Sequence, residues 1–127
     1  MGRRYLLRDE AQAALARGRT VECFLGACER RGKPGIRRVA LSLEGGVVVE
    51  RLYETADLGG PEFLDLYGFG PLDPDLGQDE ADEVATYANL DDCLASMSQR
   101  WPGSDERLTN EGVVQDEYAD YLANRSH

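Results

Sequence analysis

The sequence predicts an α+β domain: a mainly antiparallel, four- to five-stranded sheet in meander order, with two to three helices packed on it. Three observations carry that expectation. Residues 36–53, IRRVALSLEGGVVVERLY, read as two strands around a glycine pair; residues 90–101 repeat apolar side chains at helical spacing; and the links between extended segments are short. Parallel strands would need crossovers of about a dozen residues or more, which these links do not supply. The 127 residues fit a single domain, 1–127.

The hairpin is specified in detail. Gly45 and Gly46 suit a two-residue type I′ turn, which needs positive φ at both central positions. Glu44 then faces Val47, and period-two alternation sets Leu43 with Val48, Leu41 with Glu50, Val39 with Leu52 and Arg37 with Glu54 on one face. That face is apolar apart from Glu50 and its far end. The other carries Ser42 with Val49, Ala40 with Arg51 and Arg38 with Tyr53, a mixed surface suited to water or a thin cover. A three-residue loop over Glu44 to Gly46 is the competing register, and it would exchange the faces of the second strand.

Taken from its start, the chain opens with Tyr5, Leu6 and Leu7, a stretch too short to classify. Asp9 and Gln12 have the spacing of a capping box, and alanines follow up to Gly18, so a helix is expected over about 9–17. Thr20 to Leu25 fits a strand or one capped turn. Residues 26–35, GACERRGKPG, read as loop from their glycines and proline. After the hairpin, residues 57–61 form a turn, and EFLDLYGFG reads as a third strand of the meander. A fourth strand is expected at 83–88. Asn89 and Asp92 then stand at N-cap and N3 of a helix over 90–101, whose stripe of Leu90, Leu94, Met97 and Trp101, with Cys93 beside it, suits the apolar hairpin face. Residues 107–114 give a bend and a short extended piece. A last helix over 115–124 places Val114, Tyr118, Tyr121 and Leu122 on one side.

Charge is unevenly distributed. Residues 1–38 hold ten Lys or Arg against four Asp or Glu, whereas residues 39–127 hold four against twenty, so a net charge of −10 covers a dipolar sequence. An acidic majority repels phosphate and argues against general nucleic-acid binding, while the basic first third leaves room for a local anion site at Arg30, Arg31 and Lys33. The plainer use of those three cations is a solvated loop that guards a sheet edge. Cys23, Cys28 and Cys93 form no even set and no CxxC pair, the pattern of reduced thiols in a cytoplasm. No apolar run approaches a membrane span, MGRRYLLRDE lacks the apolar core of a secretion signal, and Leu6 spoils a myristoylation start.

The acidic stretch DPDLGQDEADE, residues 73–83, has the density of a calcium loop but fails its test. Gln78 stands where the turn needs glycine, and Val84 where a bidentate glutamate belongs. Neither a metal nor a cofactor is expected, and no catalytic residue is assigned. The only histidine is His127, so no histidine-based triad or multi-histidine metal site can be assembled from this sequence. Glu50 is the unusual singleton, a carboxylate on an apolar face that needs either a partner or a place at the rim. No motif marks a known family.

Two classes of function remain. The first is a small acidic cytoplasmic protein-binding module, an inhibitor or neutraliser of a basic partner such as a nuclease-type toxin, by analogy of composition alone with immunity and antitoxin proteins. It would bind through Asp73, Asp75, Asp79, Glu80, Asp82 and Glu83. The second is a small-molecule-binding or carboxylate-based enzyme domain, favoured by a dry pocket around Glu50; a solid core would favour the first.

Overall fold

The computed structural model describes residues 4–60, 63–77 and 80–125, and within Arg125 only the backbone. Five strands form one open antiparallel sheet: β1 (Val21–Arg30), β2 (Lys33–Glu44), β3 (Val47–Ala56), β4 (Glu83–Tyr87) and β5 (Thr109–Asn110), in the order β4-β3-β2-β1-β5. Strands β1 to β4 run in meander order, with β1 taking a place expected for residues 62–70, and β5 adds to the β1 edge. The helices are α1 (Arg8–Ala16), α2 (Leu90–Arg100) and α3 (Val114–Arg125).

The two-residue glycine loop holds. Glu44 pairs with Val47, and the register runs outward through Leu41 with Glu50 and Val39 with Leu52 to Gly35 with Ala56. The apolar face so defined packs against α1 and α2. Val39, Leu41, Val48 and Leu52 meet Val21 and Cys23 of β1, Ala11, Ala14 and Leu15 of α1, and Leu90, Cys93, Leu94 and Met97 of α2 in one buried cluster. The Asn89 side chain caps α2 by accepting from the Asp92 amide at 2.8 Å.

Trp101 follows α2 as its C-cap, half-buried, with the Arg100 guanidinium 4.3 Å from its ring centroid. Leu94→Ala is therefore expected to cost about 2–5 kcal/mol, and Trp101→Ala less, because part of that ring stays in water. Urea melts of the two variants test this ranking.

Three expectations are corrected. Residues 26–35 are not a loop: β1 runs through to Arg30 and turns back into β2 over Arg31 and Gly32, both at positive φ. Glycine density reads as loop, but here one glycine makes this turn and another, Gly26, follows a bulge at Leu25. The Asp9–Gln12 capping box does not form either. Helix α1 starts a residue earlier, with Leu7 as N-cap, and its Leu7 amide donates to the Glu10 carboxylate at 2.8 Å.

The stretch expected as a third strand of the meander is a 3-10 turn over Leu66–Gly68 with only isolated bridges, Gly60 to Phe63 and Thr55 to Pro71. Its apolar residues serve a second core. Leu66 and Phe69 pack with Phe24 and Ile36 from the opposite face of the sheet and with Val114, Tyr118 and Leu122 of α3. That cover reaches the Phe24 and Ile36 end of the second face and, through Tyr67, Arg38, leaving the Ala40 to Ser42 end open.

Candidate functional site: the cleft around Arg38

The acidic and basic stretches singled out in the sequence meet. The Arg30 guanidinium lies 3.2 Å from Asp73, 3.4 Å from Asp82 and 3.5 Å from Glu54. Arg31 and Lys33 line one side of a cleft of about 330 Å³, with Asp73 and Asp75 on the other. Asp82 accepts from the Glu54 amide at 2.7 Å, and its burial pushes the carboxyl up, partly offset by that hydrogen bond. Glu83 pairs with Arg100 at 2.8 Å. Asp73, Asp82 and Glu83 are thus engaged with this chain's own cations, whereas Asp75 and Glu80 are exposed. Asp79 lies outside the described residues.

Both ends of the acidic stretch are fastened to the end of β3, where its pairing with β4 stops. The Leu72 amide donates to the Glu54 carbonyl at 3.1 Å, and the Asp82 amide to the Leu52 carbonyl at 2.7 Å.

Glu50 is interior, not at the rim. It is 2 % exposed, receives the Tyr87 hydroxyl at 3.1 Å, and has its second carboxylate oxygen buried without a partner. Tyr87 in turn shares Ser96 of α2 at 3.0 Å. Burial raises the Glu50 carboxyl above its usual range, against the pull of the Tyr87 hydrogen bond and the more distant Arg100; Glu83 adds to the rise. Below the ordinary glutamate value of about 4.3 the group is protonated in both the folded and unfolded chain, so its burial carries no charge penalty. As pH rises through the folded value, that advantage is lost. Glu50→Met should therefore leave stability near wild type in acid and raise it by about 1–3 kcal/mol at pH 7, the cost of an unsatisfied buried acceptor. Thermal melts at acid and neutral pH check it.

The open end of the second face holds the more informative group. Alternation on β2 and β3 sends Arg38, Ala40, Ser42, Arg51 and Tyr53 to this side. The Arg38 guanidinium carbon stands 4.2 Å from the ring centroid of Tyr53 and 4.8 Å from that of Tyr67, so the cation lies over two aromatic rings. Behind it lies Glu22, 1 % exposed. One Glu22 oxygen accepts from the Tyr67 hydroxyl at 2.6 Å and the Gly112 amide at 2.9 Å; the other is 3.4 Å from Arg38 Nη1. Burial and the Glu22 carboxylate both push the Tyr67 hydroxyl up, which keeps it a donor to Glu22 at neutral pH.

Arg38 is held loosely for a buried cation. Its contact with Glu22 is long, and its Nε is buried with no partner. Arg51, in contrast, is committed to Glu44 at 2.6 Å and holds that carboxyl down to about 2. Arg38, Tyr53 and Tyr67 line each of two hollows. One, of about 220 Å³, is walled by Thr20, Ser42, Arg51 and Glu111; the other, of about 80 Å³, runs toward Thr55 and Phe69.

Sequence reasoning placed Arg38 and Tyr53 on one mixed face but missed Glu22 and Tyr67. Glu22 fell in a segment that fitted strand or turn, and Tyr67 in a stretch read as a strand. The signal for Glu22 was present: between Val21 and Cys23 it is the polar member of an alternating strand, so it faces away from their core.

Among the described residues, no cluster of three or more His, Cys, Asp or Glu side chains is arranged to hold a metal ion. None of the described helices is long and apolar enough to cross a membrane. The chain matches no family model, no curated protein and no solved structure.

Proposed function

We propose that this protein acts by binding, as a cytoplasmic neutraliser of a basic partner protein that it engages through the acidic stretch between β3 and β4. The observation that carries this reading is the fastening of that stretch at both ends, by Leu72 and Asp82 to β3 and by Asp73 and Asp82 to Arg30. A carboxylate array anchored in this way loses less freedom when a partner docks than a free acidic tail would. Arrays of this sign also steer encounter with basic surfaces.

Two further observations support binding over chemistry. Burial pushes the Cys23 and Cys93 thiols up to about 12 and Cys28 up to about 11, which makes all three poor nucleophiles. The rival centre, Glu50, sits in packed core. The cytoplasmic placement rests on those three cysteines being free.

The test is affinity capture from the host's lysate with wild type and with an Asp75→Lys, Glu80→Lys variant, which alters the exposed acids and spares the Arg30 network. Wild type should retain one stoichiometric basic protein and suppress that protein's own activity, whereas the variant should lose it. Association should slow with salt as the Debye length falls from about 10 Å at 0.1 M to about 3 Å at 1 M. Equal capture and equal salt dependence for both proteins would remove the acidic stretch as the binding surface. Loss of capture on an Arg31→Glu, Lys33→Glu variant instead would move the site to the opposite wall of the cleft.

A further inference from the structure

We propose that the 220 Å³ cleft over the open end of the sheet is a binding site for a small monocarboxylate, recognised by Arg38. This is a different surface from the acidic stretch and does not depend on it. The cation is held in place before any ligand arrives: it lies over the rings of both Tyr53 and Tyr67, and the Glu22, Tyr67 and Gly112 hydrogen bonds fix the carboxylate and the ring beside it. Its donors are nonetheless nearly unused, since among the described residues its one hydrogen bond is the 3.4 Å contact from Nη1 to Glu22. A planar cationic fork with spare donors beside an open hollow matches a planar carboxylate.

Charge sets the ligand class. Arg38 and Arg51 line the cleft together with Glu22 and Glu111, and Arg51 is already held by Glu44, so a doubly charged phosphate would meet two carboxylates with only Arg38 to receive it. One negative charge is what the remaining Arg38 donors can serve. The hydroxyls of Thr20, Ser42 and Tyr53 on the walls suit a ligand with polar edges. Size sets the upper bound: a protein cavity of about 150 Å³ accommodates benzene, so this cleft accommodates a molecule of benzoate or amino-acid dimensions.

Benzoate is the probe, with benzamide as its uncharged counterpart and inorganic phosphate as the dianion. Titrated into the 15N-labelled full chain, benzoate should shift the Arg38 Nε and Gly112 amide resonances saturably, with a Kd of about 1 mM or tighter. Benzamide and phosphate should each bind at least about tenfold more weakly. Arg38→Lys, which keeps the charge but loses the planar fork, should weaken benzoate by a similar factor. Ala40→Leu fills the cleft without touching the guanidinium. It should abolish the shifts while leaving the melting temperature near wild type, so it decides the matter even if the Arg38 variant fails to fold. Absence of saturation, equal binding of benzamide or phosphate, or benzoate binding unchanged in Ala40→Leu would each overturn the assignment.

Discussion

Tyr118→Ala should destabilise the fold by about 3–5 kcal/mol, one of the largest effects available to a single substitution in this chain. The Tyr118 ring has no exposed surface, and it packs on Phe69 at 5.6 Å, on Tyr121 at 6.1 Å and on Phe24 at 6.2 Å between centroids. Its hydroxyl accepts from the Gly59 amide at 3.0 Å and donates to Asp57. Removing the side chain therefore opens a cavity under α3 and releases the segment after β3 in one step. Against a total stability of about 0.05–0.15 kcal/mol per residue, that loss is a large share. Tyr118→Phe keeps the packing and loses only the hydroxyl, so about 1–2 kcal/mol is expected. Urea denaturation distinguishes the cases, and a loss below about 1 kcal/mol for the alanine variant would show that α3 is not what holds the second core together.

Glu22→Ala should cost a comparable 3–5 kcal/mol, for an electrostatic reason. It leaves the mostly buried Arg38 cation without its counter-charge, and removes the acceptor of both the Tyr67 hydroxyl and the Gly112 amide. The double change Glu22→Leu, Arg38→Met removes both charges and should be milder than Glu22→Ala alone, because two apolar side chains need no partner. A double-mutant cycle in denaturant measures the coupling. Additive losses at the two positions would mean that the pair does not act as a unit.

How far these features were legible follows from the distance over which each is encoded. The Gly45–Gly46 turn and its register lie within residues 33–56, and the Asn89 cap with its apolar stripe lies within one helix, so local rules sufficed. Residues 26–35 misled because composition does not reveal what each glycine does. Gly35 sits inside β2, where a Cβ would come 2.3 Å from a Leu72 side-chain carbon and 2.7 Å from the Thr55 carbonyl. Leu72 arrives from far along the chain, so the need for glycine there is invisible locally.

The Arg38 cleft was least legible for the same reason. Glu22, Arg38, Tyr67 and Gly112 come from four segments, and the Gly112 to Glu22 hydrogen bond spans 90 residues. The acidic and basic stretches were both seen, but their meeting at Arg30 depends on the β1–β2 hairpin that composition concealed.

The bulge at Leu25 has a consequence for which residues of β1 each face of the sheet receives. Before it, Val21 and Cys23 face the helices; after it, the even-numbered Gly26, Cys28 and Arg30 take that side, because Gly26 pairs with Arg37 where strict alternation would have put Leu25. The extra residue is a change of reading frame inside one strand. It lets the same ten residues present an apolar pair to the core and, farther along, deliver Arg30 to Asp73, Asp82 and Glu54. Without the bulge, plain alternation of the same ten residues would send Arg30 to the opposite face, with Glu29 in its place beside three carboxylates, whereas deleting Leu25 itself would leave Gly26 opposite Arg37 and Arg30 opposite Lys33. The strand can therefore lose its one unpaired residue and keep both the core pair and Arg30 in place, while a deletion on either side of the bulge would shift the register.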